Sequence, residues 1–95
     1  MLIIRDDAEA DVEEAFNWYQ KHRDGLGADF LLVVEAGLAV IERNPRLCQV
    51  VYKQTRRLLL RRFPFGLFYI FDDKTIEVLA CMHCRRNPTE WRERT

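Results

Sequence analysis

Three residues in the C-terminal half carry the side chains that cleavage of RNA without a metal ion requires. That reaction needs a base for the 2′-hydroxyl, an acid for the leaving 5′-oxygen and cations around the reacting phosphate. His83 is the only histidine in this half, and histidine is the side chain whose ordinary pKa lies nearest neutrality. Arg61 and Arg85 have the planar guanidinium that clamps phosphate oxygens. If their strands are neighbours, alternation predicts that Arg61, His83 and Arg85 converge on one phosphate.

Each of these residues also has a structural interpretation. A histidine at the end of an apolar strand is more often hydrogen-bonded within the fold than catalytic. Arg61 and Arg62 would equally suit the rim of a groove that binds a partner protein. Lys53, Arg57, Arg62 and Arg86 are the cations that we expect to bind a target protein or nucleic acid.

The charges are divided unevenly between the two halves of a chain whose net charge is zero. The first 44 residues carry ten acids and four bases, whereas the remaining 51 carry eleven bases and five acids. Such a division is typical of a protein with one face for an anionic partner, and also of an ordinary solvated surface on which acidic helices offset a basic sheet.

The three cysteines favour core thiols over a metal site. Cys81 and Cys84 flank His83 as in half of a zinc site, but a structural site needs four ligands, and Cys48 lies at no matching spacing. An odd number of cysteines without a secretion signal also argues against a disulfide framework. We therefore expect buried thiols, no bound metal and no cofactor.

Helical periodicity dominates the N-terminal half. A short strand at residues 2–5 precedes a helix that we expect to begin at Asp6 or Asp7, with Glu9 completing a capping box, and to end near His22. The glycines of residues 25–27 predict a tight turn before a second helix over residues 28–43. This helix carries Gly37, which we expect to allow close approach of the first helix. The short connection predicts an antiparallel helical hairpin.

Strand-like segments fill the C-terminal half. Apolar runs predict strands over residues 49–53, 57–63, 67–71 and 75–84, with a hairpin turn at residues 72–74. A buried Trp91 is expected to anchor a short terminal helix or tail. We predict an α+β fold in which an N-terminal strand and an antiparallel helical hairpin pack on a mainly antiparallel sheet of four to five strands. Residues 1–95 are expected to form a single domain.

Five groups of residues, in this order along the chain, give the sequence a family resemblance. They are Ala8-Glu9-Ala10-Asp11-Val12 with Trp18-Tyr19; Gly25-Leu26-Gly27 with Phe30; Ile41, Asn44 and Pro45; Leu60-Arg61-Arg62-Phe63-Pro64-Phe65 with Tyr69; and Ile76-Glu77-Val78-Leu79-Ala80 with His83, Arg85, Arg86, Pro88 and Trp91. The ordered set resembles the RelE/ParE superfamily of toxins from type II toxin–antitoxin systems, a group that includes plasmid-stabilisation proteins.

The resemblance implies a growth-inhibiting bacterial toxin that is silenced by a cognate antitoxin, in a hetero-oligomeric complex. RelE-like members are metal-independent endoribonucleases that cleave messenger RNA on the ribosome, whereas ParE-like members bind DNA gyrase and are not nucleases. We expect the antitoxin to dock as a helix or an added strand, at apolar strand edges or at Leu58-Leu59-Leu60. A cytoplasmic location is expected, because no apolar run approaches the roughly 20 residues of a membrane span and the N-terminus lacks a signal-peptide layout.

Two departures from the RelE pattern favour the ParE-like function. RelE-like nucleases often use a late tyrosine, but no tyrosine follows Tyr69 in this chain, and there are only three lysines, Lys21, Lys53 and Lys74. A net charge of zero also suits ribosomal RNA poorly, because phosphate contacts carry most of such affinity. We therefore predict inhibition of gyrase, with the ribosome-dependent nuclease as the alternative, so that enzymatic activity stays open. A third hypothesis is a chain that has lost toxicity and survives as a complex-forming protein.

Overall fold

A computed structural model describes residues 1–95 and contains five strands and three helices. In chain order these are β1 (Leu2–Ile4), α1 (Asp6–His22), α2 (Leu26–Arg43), β2 (Gln49–Tyr52), β3 (Thr55–Leu59), β4 (Phe65–Phe71), β5 (Ile76–His83) and α3 (Thr89–Arg92). The strands form one sheet in the order β1-β5-β4-β3-β2, in which β1 runs parallel to β5 and all other neighbours are antiparallel. The predicted α+β fold is confirmed.

The start of α1 differs from the sequence-based prediction. The helix begins at Asp6, its N-cap is the extended Arg5, and no side chain caps it. The predicted capping box is therefore wrong. Because Asp6, Asp7 and Glu9 lie inside the first turn, their carboxylates stabilise the helix through its dipole rather than through a cap.

The turn between the helices depends on glycine at two positions. Gly25 has a φ of +87°, a left-handed conformation that favours glycine. The Gln20 side-chain oxygen accepts hydrogen bonds from the backbone N–H groups of Gly25 and Gly27, each at 3.2 Å. A Cβ atom on Gly27 would lie 2.9 Å from the Phe16 carbonyl oxygen and 2.8 Å from its ring. Gly27 is therefore the residue that lets the two helices approach closely.

Gly37 packs against the sheet and not against α1, so the role predicted for it is wrong. A Cβ atom at this position would lie 2.9 Å from Leu58, 3.1 Å from Leu60 and 3.1 Å from Leu67. Leu58 and Leu60 are therefore partly covered by α2. The helical hairpin covers one sheet face, and Tyr69 fixes the connection after α2 by donating a hydrogen bond from its hydroxyl to the Pro45 carbonyl oxygen at 2.7 Å.

The strand predicted over residues 57–63 ends at Leu59. The Leu60 N–H donates to the Phe65 carbonyl at 2.9 Å, and Arg62 has a φ of +68°. Left-handed backbone cannot continue a strand, so residues 60–64 turn back to form β4. Of the three cysteines predicted to be core thiols, Cys48 and Cys81 are buried, whereas Cys84 is exposed after β5.

A polar clasp fastens the C-terminal tail to α1 and to β5. Arg94 donates to both carboxylate oxygens of Asp11, at 2.6 and 3.2 Å, and to the Leu79 carbonyl oxygen at 3.2 Å. Asp11 also accepts the Cys81 N–H at 3.0 Å, and Arg5 donates to the Arg94 carbonyl at 2.7 Å. Because β1 pairs only with residues 76–78 of β5, the clasp satisfies backbone groups of β5 beyond the end of β1. None of the three helices is both long and apolar enough to span a membrane.

Candidate functional site on the open face of the sheet

The sheet face opposite the helical hairpin, which we call the open face, carries a small core of its own. Phe68, Ala80, Met82 and Trp91 form a separate buried cluster on this face. The Trp91 indole stacks on Phe68 with ring centroids 4.4 Å apart and planes at 21°. Trp91 is only 6% exposed, which confirms the predicted anchoring of the tail.

Cations surround the aromatic rings of the open face. Tyr52 meets Trp91 edge to face, with ring centroids 6.0 Å apart. Lys53 Nζ lies 5.2 Å from the centre of the Tyr52 ring, and Arg92 Cζ lies 4.8 Å from the same centre. Arg92 Cζ is also 5.5 Å from the Trp91 ring centre. Two positive charges therefore lie against one tyrosine ring.

Arg57 extends this positive surface along β3. Across the sheet it pairs with Phe68, which pairs in turn with Ala80 on β5. A Cβ atom on Gly66 would lie 3.1 Å from both Cγ and Cδ of Arg57. Glycine at that position therefore lets the aliphatic part of Arg57 lie close to β4, as arginine stems commonly do on apolar surfaces.

The three cations of the open face have no acidic partners, whereas four arginines elsewhere, Arg5, Arg62, Arg86 and Arg94, are ion-paired. No carboxylate lies within ion-pairing distance of Lys53, Arg57 or Arg92. Arg62 and Arg86, which the sequence also suggested for target binding, are exposed but already paired, with Asp29 at 3.6 Å and Glu90 at 2.9 Å. Of the four predicted binding cations, Lys53 and Arg57 are thus placed together on one face with their charges uncompensated.

The three residues predicted to cleave RNA do not lie on neighbouring strands. Arg61 lies beyond the end of β3, and β3 is not a neighbour of β5, because β4 lies between them. Arg61 is exposed in the loop after β3, and Arg85 is exposed in the turn after β5. No hydrogen bond joins the side chains of any two of these residues. The loop of Arg61 nevertheless adjoins the end of β5, because the Cys84 N–H donates to the Pro64 carbonyl at 2.8 Å and Phe65 pairs with His83, so joint action of the three residues stays a prediction.

His83 belongs to the helix side of the sheet. Its ring meets Phe65 edge to face at 5.4 Å, and its Nδ1 accepts the Arg85 N–H at 3.0 Å. The neutral ring therefore carries its proton on Nε2. His83 lines a cleft of about 610 Å³ beside Trp18 and Tyr19 of α1, on the face opposite that of Arg57.

Burial and hydrogen bonding move several pKa values, all of them away from neutrality. Burial raises the pKa of the Cys81 thiol to about 12 and raises the pKa values of the Tyr19 and Tyr69 hydroxyls. Backbone N–H groups lower the pKa of Asp72, and the hydrogen bond to Asp11 raises that of Arg94. None of these shifts produces a group that titrates near pH 7, as efficient proton transfer requires.

A second surface lies on the helix side, between α1 and α2. Its groove has a volume of about 390 Å³ and ten apolar residues among the thirteen that line it. The polar lining residues are all acidic, namely Glu9, Glu13 and Glu35. This acid-rimmed apolar groove thus differs in charge from the open face, where Lys53, Arg57 and Arg92 are uncompensated.

Comparison with known proteins identifies the family. The family model described as "ParE toxin of type II toxin-antitoxin system, parDE" matches residues 2–88. The chain belongs to the ParE toxin family. A solved structure described as "Chromosomal ParDE TA system from P. aeruginosa" shares the ParE fold with a TM-score of 0.66 and 18% sequence identity. The match covers 86% of this chain and 92% of the other. No curated protein matches the chain.

Sequence reasoning found only part of the candidate site on the open face. It named Lys53 and Arg57, but it did not name Arg92 as a binding residue or join Tyr52 to Trp91. The available signal was the aromatic–cation pairing of Tyr52-Lys53 and Trp91-Arg92. Only the folded chain brings these two pairs together, because they lie about 40 residues apart in sequence.

Proposed function

We propose that this chain inhibits growth by binding DNA gyrase through its open face, without cleaving RNA. The observation that carries the proposal is the location of the uncompensated cations Lys53, Arg57 and Arg92 on one sheet face, with His83 on the other. Such a surface supports binding by charge and shape. It lacks a neighbouring imidazole to move a proton, which argues against the RelE-like alternative.

An antitoxin segment is the second partner that we propose, and the groove between α1 and α2 is its docking surface. Its apolar floor suits the apolar face of an amphipathic helix. Its rim of Glu9, Glu13 and Glu35 would favour lysines or arginines beside that face. The Leu58-Leu59-Leu60 segment, predicted earlier for this role, suits it less. Leu58 and Leu60 pack beneath Gly37, and β3 is not an edge strand.

Induced expression in a bacterial host tests the proposed mechanism. We expect wild-type protein to arrest growth with a DNA-damage response and without new transcript 5′ ends. His83→Ala and Arg85→Ala should arrest growth equally. Cuts within translated messages that disappear in Arg85→Ala would instead establish the nuclease. Harmless expression of wild-type protein would support the third hypothesis, loss of toxicity.

Co-purification with the product of the neighbouring gene tests the antitoxin proposal. A complex that forms with wild-type protein and weakens in Glu13→Lys would support docking in the groove. As a matched control, Glu42→Lys makes the same charge change at an exposed position of α2 that does not line the groove. Equal loss of the complex in both variants would argue for a general effect of charge and against this docking surface.

A further inference from the structure

We infer that the open face is a docking surface for an acidic segment of a partner protein. This inference rests on the proposed function in one respect, that the open face is the surface that meets the target. It adds the chemistry of the target segment, which carries carboxylates, and the residues that receive them, Lys53, Arg57 and Arg92.

The first argument is the presence of two uncompensated cations at one ring. Lys53 and Arg92 both lie within about 5 Å of the centre of the Tyr52 ring, and no carboxylate compensates either of them. In the same tail, Arg86 and Arg94 each have an acidic partner, at 2.9 and 2.6 Å. A carboxylate that docks beside the Tyr52 ring would therefore meet cations that are free to donate charge-assisted hydrogen bonds.

The second argument concerns the backbone that holds Lys53. This residue has a φ of +52°, a left-handed conformation that costs a non-glycine residue free energy. The conformation lies in the tight turn between β2 and β3, beside the Tyr52 ring. The turn therefore fixes the backbone of Lys53, and with it the direction in which the side chain leaves the chain, before a partner binds.

The same observations favour a protein segment over a nucleic acid. Bases of a single strand bind by stacking on free aromatic faces. Here Trp91 stacks on Phe68 and is buried, and Tyr52 is flanked by two cations. Leu59, on the same strand as Arg57, is 55% exposed and offers an apolar contact that a phosphate backbone would not use.

A fluorescence titration tests the inference directly. The Trp18→Phe variant leaves Trp91 as the only tryptophan, so its emission reports on the open face. The probes are a short polyglutamate peptide and a single-stranded oligodeoxynucleotide of the same net charge. We expect the peptide to change Trp91 emission saturably and to bind more tightly than the oligonucleotide.

Charge reversal then locates the binding site. Arg57→Glu and Arg92→Glu should each raise the Kd of the peptide at least about tenfold, whereas Lys74→Glu, the same change in an exposed turn, should leave it within about twofold. Arg57→Gln keeps most of the aliphatic stem and should still weaken binding if Arg57→Glu fails to fold. Equal or tighter binding of the oligonucleotide would overturn the inference in favour of a nucleic-acid surface. Absence of peptide binding, or equal weakening by Lys74→Glu, would also overturn it.

Assays of gyrase separate this inference from the proposed function. If wild-type protein binds the peptide through Arg57 and Arg92 but leaves DNA supercoiling by gyrase unaffected, gyrase is the wrong target and the acidic docking surface stands. If wild-type protein inhibits gyrase and the charge-reversal variants inhibit it equally, the proposed function stands and the inference is wrong.

Discussion

The clasp between Asp11 and Arg94 should be a major source of stability, although Arg94 is the penultimate residue of the sequence. The side chains of Arg94 and Asp11 are only 21% and 13% exposed. We predict that Arg94→Ala destabilises the fold severely. The substitution removes both hydrogen bonds to the carboxylate and the one to the Leu79 carbonyl, and it leaves Asp11 charged in a poorly solvated position.

The expected magnitude follows from this geometry. Removing one partner of a buried ion pair costs about 3–5 kcal/mol. The loss here should be nearer 3 kcal/mol, because the pair is partly exposed and Asp11 keeps its hydrogen bond from the Cys81 N–H. That loss is a large share of the stability of a small domain, which is typically about 5–15 kcal/mol. In a domain of this size it corresponds to a fall in Tm of roughly 10–20 °C.

Urea unfolding followed by circular dichroism measures the effect. Glu93→Ala is the matched control, because Glu93 is the exposed neighbour of Arg94 and its side chain makes no ion pair. It should change the free energy of unfolding by less than about 0.5 kcal/mol. If Arg94→Ala costs less than about 1 kcal/mol, or no more than Glu93→Ala, the clasp is an ordinary surface ion pair and the reasoning fails.

Three further predictions concern the core and the helical hairpin. Trp91→Ala should lower the free energy of unfolding, measured with urea, by about 3–5 kcal/mol, because the indole is buried against the sheet. Trp18→Ala should lower it far less, because Trp18 is 56% exposed. Gly27→Ala should destabilise the fold by at least about 1 kcal/mol, because the new Cβ would meet the Phe16 carbonyl oxygen. An unchanged free energy of unfolding would show that α1 and α2 can move apart to make room for it. Burial raises the pKa of Cys81 to about 12, so the folded state favours the protonated thiol. The stability that this thiol contributes is therefore intact below the ordinary thiol pKa of about 8.5. It is lost as the pH rises toward about 12. Cys81→Ala should reduce the fall in the free energy of unfolding at alkaline pH, and Cys84→Ala should not. If that free energy falls equally steeply with pH in the two variants, Cys81 is not the group responsible.

Local patterns in the sequence were enough to predict the elements. The apolar period of α1 and α2 predicts their extents to within two residues, because helical spacing is a local property. The end of β3 was missed because it depends on the left-handed conformation of Arg62, which no residue type at that position demands. The strand order was left open because pairing of β1 with β5 joins segments more than 70 residues apart.

The candidate site was harder to predict because strand alternation fails at two places. The register shifts between Val50 and Tyr52 on β2, and between Phe68 and Tyr69 on β4. The second shift leaves Leu79 as an extra residue on β5, since Phe68 pairs with Ala80 and Tyr69 pairs with Val78. Each bulge reverses which residues share a face. Counting alternate residues across Leu79 therefore assigns residues before and after it to the wrong faces, although Cys81 and His83 do share the helix side.

The most direct test of the account is DNA supercoiling by purified gyrase in the presence of wild-type protein, Arg57→Glu and Lys74→Glu. The proposed function and the open-face surface together predict that wild-type protein and Lys74→Glu inhibit supercoiling, and that Arg57→Glu loses at least about tenfold in potency. Full gyrase activity at saturating wild-type protein, with transcripts cut in cells that express it, would contradict the account and establish a nuclease instead.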